Sequence, residues 1–256
     1  MSMTAELVRS RAWDVRFDEG RHARANIGYV LLPNEQTIES DLFRMAPPGV
    51  GLHFSRGPMP REVNVENLAS MADTMAETAS LLLPDDELDV ICYACTSGSV
   101  VIGEDRVRAE LSRGRPGPTP TTLVSGVIAG LEAFGAKRIV VGTPYLDEVN
   151  TIEATYLEER GFEILDIQGM NLHYDAEMVR VAPEFLVEFA AAIDRPDADA
   201  VFISCGALRA IEVIDEIERK VEKPVVTSNQ GMFWHCLRLA GIDDRISGFG
   251  RLFLEH

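Results

Sequence analysis

The sequence of 256 residues lacks the features that mark membrane proteins and nucleic-acid-binding proteins. No apolar run approaches the roughly 20 residues of a membrane span, and the first residues lack the apolar centre of a signal peptide. The formal net charge is −17, whereas a nucleic-acid site needs a basic surface. We therefore expect a cytoplasmic protein with no nucleic-acid partner and no membrane partner. The negative charge does not exclude a small anionic substrate, because donors at helix N-termini can hold a carboxylate in an acidic protein.

Cysteine is scarce, and the four cysteines have no arrangement typical of a metal site. Cys92 and Cys95 have C-x-x-C spacing, but both fall in a strand-like run and no second ligand pair follows. A structural zinc ion needs about four ligands. Disulfides are rare in cytosolic proteins, and the sequence contains no G-x-G-x-x-G motif or phosphate-binding loop. We expect neither a metal nor a cofactor.

What the sequence does contain is an alternation of short β-branched runs with amphipathic segments. This pattern predicts βαβ units and a parallel sheet, and 46% hydrophobic residues suffice for a core. The predicted strands lie at 27–32, 49–54, 89–94, 138–143, 162–167, 200–205 and 223–228. The predicted helices include 67–83, 120–136 and 228–242.

Several features recur on the two sides of a segment rich in glycine and proline, SRGRPGPTPTT at 112–122. Pro33 precedes Cys95 by 62 residues, and Pro144 precedes Cys205 by 61. A Thr-Ile-Glu triplet follows each proline at a short distance. The repetition predicts two pseudo-symmetric α/β halves, each a parallel sheet flanked by helices.

We predict that the first half comprises residues 25–115 together with 229–256, and that the second comprises 119–228. In this arrangement the last predicted helix crosses back to the first half. The active site is expected in the cleft between the halves. Association into a homo-oligomer stays open.

The most informative repeat is a strand that ends in a thiol. Asp89 and Asp199 each open a mostly apolar run that reaches a cysteine six positions later, at Cys95 and Cys205. Ligands of open α/β sheets bind beyond the carboxyl ends of the strands, so both thiols are expected where chemistry occurs. The residues after each cysteine can start a helix, whose N-terminus would lower the thiol pKa from about 8.5 towards neutrality.

Two such thiols across a cleft could remove a proton from one face of a carbon and return one to the other face. Alternatively, one thiol could add to a double bond while the other handles the proton. Neither scheme needs a cofactor. The competing interpretation is that free cysteine simply packs as a small apolar residue, which we favour for Cys92 and Cys236.

Further candidate residues surround the predicted cleft, each with a structural alternative. Hydroxyls and N–H groups after the cysteines could hold a carboxylate or an oxyanion, and a tyrosine after a strand could either reach the cleft or pack a turn. Residues of the first loop could bind substrate or cap the next helix. The candidates for substrate binding are Asn34, Glu35, Thr96, Ser97, Tyr145, Asn171 and Gly206. His235 is expected to serve packing.

The paired motifs CTSGS and SCGALRA, with TPYLDEVN and VVTSNQGMFWHCLRLAG, resemble the aspartate/glutamate racemase superfamily. Over about residues 25–250 the chain is most similar to the branch that holds maleate cis-trans isomerases, arylmalonate decarboxylases and ectoine-utilisation racemase-like proteins. The resemblance implies a cofactor-independent cysteine pair. By analogy with maleate isomerases, Cys95 would add to the double bond and Cys205 would be the proton partner. Tyr145 and Asn171 match substrate-contacting positions of the family.

One loop departs from the maleate isomerase pattern. Where those enzymes resemble P-S-S-N-T-T-M-E, this chain reads L-P-N-E-Q-T-I-E, which places Glu35 at the family's asparagine. An acidic side chain suits a substrate amino group better than a second carboxylate. The resemblance therefore implies an isomerase of a small carboxylic acid, either maleate isomerase-like or a racemase of an amino or acylamino acid.

Two further functions stay open from the sequence. Arylmalonate decarboxylases carry a glycine at the first cysteine position, so the presence of Cys95 counts against decarboxylation without excluding it. A non-catalytic protein that binds a small acid in the same cleft is the other alternative.

Overall fold

The computed structural model describes residues 10–256, and two parallel four-stranded sheets organise them. The first sheet has the order β2-β1-β3-β4 and the second has the order β6-β5-β7-β8. The first contains β1 (Ala25–Leu31), β2 (Val50–Arg56), β3 (Val90–Tyr93) and β4 (Thr119–Thr122). The second contains β5 (Arg138–Thr143), β6 (Glu163–Gly169), β7 (Ala200–Ile203) and β8 (Val225–Thr227). The predicted fold class is confirmed.

Helices flank both sheets, and strands β3 and β7 are buried along their whole length because both faces of each sheet are covered. The helices between the first and last strands of the first sheet are α1 (Ile38–Met45), α2 (Val65–Ser80), α3 (Thr96–Ile102) and α4 (Glu104–Gly114). They are followed by α5 (Leu123–Ala133), α6 (Asp147–Glu158), α7 (Asp175–Met178), α8 (Pro183–Ile193), α9 (Ile214–Val221), α10 (Ser228–Leu239) and α11 (Arg251–Glu255).

The glycine- and proline-rich segment at 112–122 is not a plain linker. Its last residues form β4, which pairs in parallel with β3 from Val90↔Thr119 to Tyr93↔Thr122. β4 lies at the edge of its sheet, where Pro120 costs no ladder hydrogen bond on the open side. The predicted second half begins at residue 119, whereas the structure places 119–122 in the first sheet. The division of the chain into halves otherwise stays a prediction.

Helices α5 and α10 pack closely against each other and occupy equivalent places after β4 and β8. Each begins directly after a threonine: the Thr122 hydroxyl accepts a hydrogen bond from the Ser125 N–H at 3.1 Å, and the Thr227 N–H donates to the Gln230 Oε1 at 3.3 Å. Glycine makes the close approach feasible, since a Cβ on Gly126 would lie 2.6 Å from the Met232 Cα. The contact between α5 and α10 therefore connects the helix that follows the first sheet with the helix that follows the second.

Within residues 10–256, no helix is long and apolar enough to cross a membrane. Over the same range, no group of three or more histidine, cysteine, aspartate or glutamate side chains is placed to hold a metal ion.

We expect Gly126→Ala to lower the free energy of unfolding by about 1–3 kcal/mol, because the added methyl group would meet backbone atoms that cannot move aside. The measurement is urea denaturation monitored by circular dichroism. Gly130→Ala is the matched control on the same helix, since its Cβ would meet only side-chain atoms of Leu252 and Val226. Equal stability of the two variants would contradict close packing of α5 on α10.

Candidate active site

The two cysteines lie two residues beyond the ends of equivalent strands. Cys95 follows β3 and Cys205 follows β7, and their exposed fractions are only 6% and 7%. Both thiols line the same cavity. The ends of the parallel strands therefore place both thiols beside one cavity, as the sequence predicts.

The Cys95 thiol is held at the start of α3. Its sulfur accepts a hydrogen bond from the Gly98 N–H at 3.3 Å and lies 3.8 Å from the Ser97 Oγ. Position 98 needs glycine, because a Cβ there would lie 2.4 Å from the Tyr93 hydroxyl and 3.0 Å from the thiol. The small residues of CTSGS thus bring a backbone donor to the sulfur.

Cys205 is held differently. It adopts a φ of +104°, a conformation that L-residues rarely adopt, and its sulfur accepts a hydrogen bond from the Ala207 N–H at 3.4 Å. The following residues form a turn and a 3-10 segment, Ala210–Glu212. The expectation that a helix begins directly after Cys205 is therefore wrong. The positive φ of Cys205 is incompatible with a right-handed helix, and the chain forms a turn there instead.

The Ser228 hydroxyl connects the two cysteine segments. Its oxygen accepts a hydrogen bond from the Cys205 N–H at 2.9 Å and lies 2.9 Å from the Thr96 Oγ1. Ser228 opens α10 and Thr96 opens α3, so the link joins the loop after β7 to the loop after β3. The hydroxyl fixes the position of one cysteine relative to the other.

The cavity between the two loops is small and mostly enclosed. It has about 20 Å³ of free volume, room for one or two water molecules. The residues that line it come from both halves: Leu32, Glu35, Val63, Ala94, Cys95, Thr96, Ser97, Tyr145, Asp175, Cys205, Gly206 and Ala207.

Two loops meet over the cavity. Glu62 and Tyr174 form an isolated antiparallel bridge, and the Val63 N–H donates to the His173 carbonyl at 3.1 Å. Their neighbours Val63 and Asp175 belong to the cavity lining. The contact between these two loops therefore forms part of the cavity wall.

Two acidic side chains face the cavity, Glu35 from the loop before α1 and Asp175 at the start of α7. The Glu35 carboxylate accepts hydrogen bonds from the Thr37 N–H and, at 2.9 Å, the Ile38 N–H, so it caps α1 while lining the cavity. The Asp175 Oδ2 is buried and has no hydrogen-bond partner within residues 10–256. Burial raises the pKa of both groups, that of Asp175 to about 6 with a contribution from Glu35.

The thiols are neutral in the resting site, contrary to the expectation of a lowered pKa. Burial raises the pKa of Cys95 to about 11, even though the Gly98 N–H and Ser97 favour the thiolate. Burial also raises the pKa of Cys205 well above its ordinary value, and the Tyr145 hydroxyl only partly offsets it. Asp175 adds to the increase at both sulfurs, because its negative charge opposes a second one.

The structure brings most of the predicted site residues together around the thiols. Beside the two cysteines, the cavity lining includes Glu35, Thr96, Ser97, Tyr145 and Gly206. Asn34 is exposed and lines a separate outer pocket, and Asp175 also contributes to the lining of that pocket. Asn171 is exposed, has a φ of +57° and lies outside the lining of the thiol cavity. The binding roles of all these residues stay predictions.

Two polar residues of the site, Asp175 and Ser228, are absent from the sequence-based candidates. Asp175 opens the short helix α7, far along the chain from both cysteines, and nothing in its local sequence distinguishes it from an acidic residue at any helix start. Ser228 falls within a motif that supports the resemblance, but its link to Cys205 and Thr96 depends on how α10 crosses to the first half. Neither contact could be read from spacing.

The family model for arylmalonate decarboxylase matches residues 32–253, which cover nearly the whole fold and the site. This chain belongs to the arylmalonate decarboxylase family. The arylmalonate decarboxylase of Bordetella bronchiseptica is 36% identical over 141 residues, which span 53% of this chain and 58% of the decarboxylase. The family assignment confirms the predicted resemblance.

Maleate isomerases are similar along nearly their entire length. The enzyme of Pseudomonas putida is 24% identical over 241 residues, covering 88% of this chain and 96% of the isomerase. The structure of a Nocardia farcinica maleate cis-trans isomerase mutant with a covalently bound succinylcysteine intermediate has the same fold, with a TM-score of 0.81 at 24% identity. It covers 91% of this chain and 99% of the isomerase. These relatives support the predicted class, a cysteine-based isomerase, and arylmalonate decarboxylase is the alternative with similar support.

We expect both active-site thiols to react slowly in the free protein, because they are neutral and enclosed. At pH 7.5, iodoacetamide should alkylate Cys95 and Cys205 at least about tenfold more slowly than free cysteine, whose pKa is about 8.5. The Cys95 rate should keep rising up to pH 9.5 without a plateau, since burial raises its pKa to about 11.

The alkylation rate of each cysteine can be followed by peptide mass spectrometry, with the protein in denaturant as the reference for full access. A plateau near neutral pH would show that the thiols are activated before substrate binds, contrary to this account.

Proposed function

We propose that this chain is a cofactor-independent isomerase of a small carboxylic acid, in which Cys95 and Cys205 act on opposite faces of the reacting carbon. The observation that carries the proposal is that both thiols line one buried cavity and are connected through Ser228. A packing role would not require two thiols, from equivalent strand ends, to border the same enclosed space.

In a proton-transfer reaction, one cysteine as thiolate takes a proton from the substrate carbon and leaves the electron pair on that carbon. The other cysteine as thiol gives its proton to the opposite face and becomes the thiolate. One C–H bond breaks and one forms, and the two sulfurs exchange protonation states. This reaction inverts the carbon, and solvent exchange resets the enzyme.

The same pair could run a cis-trans isomerisation, which is the activity of the maleate isomerase relatives. The Cys95 thiolate would add to the carbon–carbon double bond, moving its π electron pair to the neighbouring carbon. The Cys205 thiol would protonate that carbon. After rotation about the single bond, the Cys205 thiolate would take a proton back from it while the Cys95 thiolate leaves, which restores the double bond in the other geometry. Hydroxyls of Thr96 and Ser97 would hold a substrate carboxylate beside Cys95.

Decarboxylation of a malonate-like acid is the second candidate, supported by the family model and by the relative with 36% identity. In this reaction a carboxyl group leaves as carbon dioxide and one thiol protonates the resulting carbanion. It needs only one cysteine. The presence of Cys95 in the cavity therefore favours the two-thiol isomerase over the decarboxylase.

We expect Cys95→Ser and Cys205→Ser each to reduce turnover by at least about 100-fold, because each removes one partner of the proton transfer. The measurement is proton NMR in D₂O of the wild type and both variants with maleate, D- and L-aspartate, N-acetyl-diaminobutyrate and methylmalonate. Conversion of maleate would establish cis-trans isomerisation, and deuterium at the α-carbon of an amino acid that keeps its carboxyl groups would establish racemisation.

Loss of carbon dioxide that survives Cys95→Ser would show the decarboxylase instead. If the wild type binds one of these acids without converting any of them, the protein is a binding protein and the two-thiol proposal fails. Cys92→Ser is the matched control, since Cys92 is a buried cysteine outside the cavity lining.

A further inference from the structure

The charge of the cavity wall limits which acids can bind beside the thiols. Glu35 and Asp175 both line the cavity, and their exposed fractions are 6% and 5%. Like charges in a buried site of low dielectric repel strongly. A substrate that brought a second carboxylate to these two side chains would add a further negative charge without a balancing cation.

No arginine or lysine within residues 10–256 forms a salt bridge with either carboxylate. Arg56 lies close to Glu35, but its guanidinium donates to the Leu32 and Glu35 carbonyls and pairs with Glu39. Glu35 receives backbone N–H donors instead, which stabilise one charge at the end of α1. The negative charge of Asp175 is left without a counter-ion in the described part of the chain.

One oxygen of the Asp175 carboxylate suggests that the site binds a hydrogen-bond donor. Its Oδ2 is buried and has no hydrogen-bond partner among residues 10–256, although a buried carboxylate oxygen without a partner is costly. The side chain lines the cavity that holds both thiols. A donor supplied by the substrate would satisfy this oxygen.

We propose that Asp175, together with Glu35, binds the protonated amino group of the substrate, so that the substrate is a small amino acid rather than a dicarboxylic acid. This inference rests on the proposed isomerase function and names its substrate class. An ammonium group offers three donors and one positive charge, which match the open acceptor and the excess of negative charge.

The bound ammonium also accounts for how the thiols become active. Asp175 raises the pKa of both cysteines, and Glu35 also contributes to the increase at Cys205. A positive charge between the carboxylates and the sulfurs offsets this repulsion and favours a thiolate. The α-carbon carries the amino group, so binding of that group by Asp175 would bring the α-carbon to the cavity that both cysteines line.

Asp175→Asn is the informative variant, because asparagine keeps the shape of the side chain and removes its charge. Glu35 is less suited to the test, since its carboxylate also caps α1. Asp147→Asn is the matched control, an equal change of charge at an exposed position of α6. We expect both variants to fold. Thermal unfolding should show that Asp175→Asn is no less stable than the wild type, because the substitution removes a buried charge.

The probes are matched pairs of acids with and without an amino group: aspartate with succinate, alanine with propionate, and 2,4-diaminobutyrate with butyrate, each amino acid as both enantiomers. Calorimetric titration gives the Kd for each. We expect at least one amino acid to bind more than tenfold more tightly than its amine-free counterpart. Asp175→Asn should weaken binding of that amino acid by about 10- to 100-fold and leave binding of the amine-free acid unchanged or tighter.

The outcomes separate this inference from the proposed function. If the amine-free acids bind as well as the amino acids, or if Asp175→Asn has no more effect than Asp147→Asn, the inference is overturned. Thiol-dependent conversion of maleate without amine preference would overturn it while leaving the isomerase intact. Amine binding that depends on Asp175, without any thiol-dependent turnover, would support the ammonium site and reject the isomerase.

Discussion

The site depends on one hydroxyl group that joins two loops from different sheets. The Ser228 oxygen holds the Cys205 N–H and the Thr96 hydroxyl at 2.9 Å each. Cys205 has a strained φ of +104°, a cost of about 1–3 kcal/mol that the surrounding hydrogen bonds must offset. The same oxygen thus stabilises the backbone of one cysteine and positions the segment that carries the other. Close packing of α5 on α10 in turn fixes Ser228.

Burial keeps both active-site thiols in their neutral, unreactive form. A helix N-terminus and nearby hydroxyls favour the thiolate at Cys95, but loss of hydration outweighs them and its pKa rises to about 11. Neutral thiols in an enclosed cavity resist oxidation and alkylation. Under the proposal above, the positive charge of a bound ammonium group would favour the thiolate, which ties the chemistry to the presence of the substrate.

Much of the fold and part of the site follow from the sequence, because short apolar runs and paired motifs are local signals. The strands that precede Cys95 and Cys205 are examples, and the cavity that the two cysteines share follows from the rule for parallel sheets. β4 escapes prediction because its residues, TPTT, have too few apolar side chains to resemble a buried strand. The raised thiol pKa and the contacts of Asp175 arise from burial and from loops that meet only in three dimensions, so local sequence carries no sign of them.

The central claim is that the two thiols serve opposite faces of one carbon. The most direct test is the exchange of the α-hydrogen with deuterium, measured separately for each enantiomer of the amino acid that the wild type converts. The account predicts that Cys95→Ser exchanges only one enantiomer and Cys205→Ser only the other, because each variant keeps the base for one face. Exchange of both enantiomers by the same single-cysteine variant would contradict it.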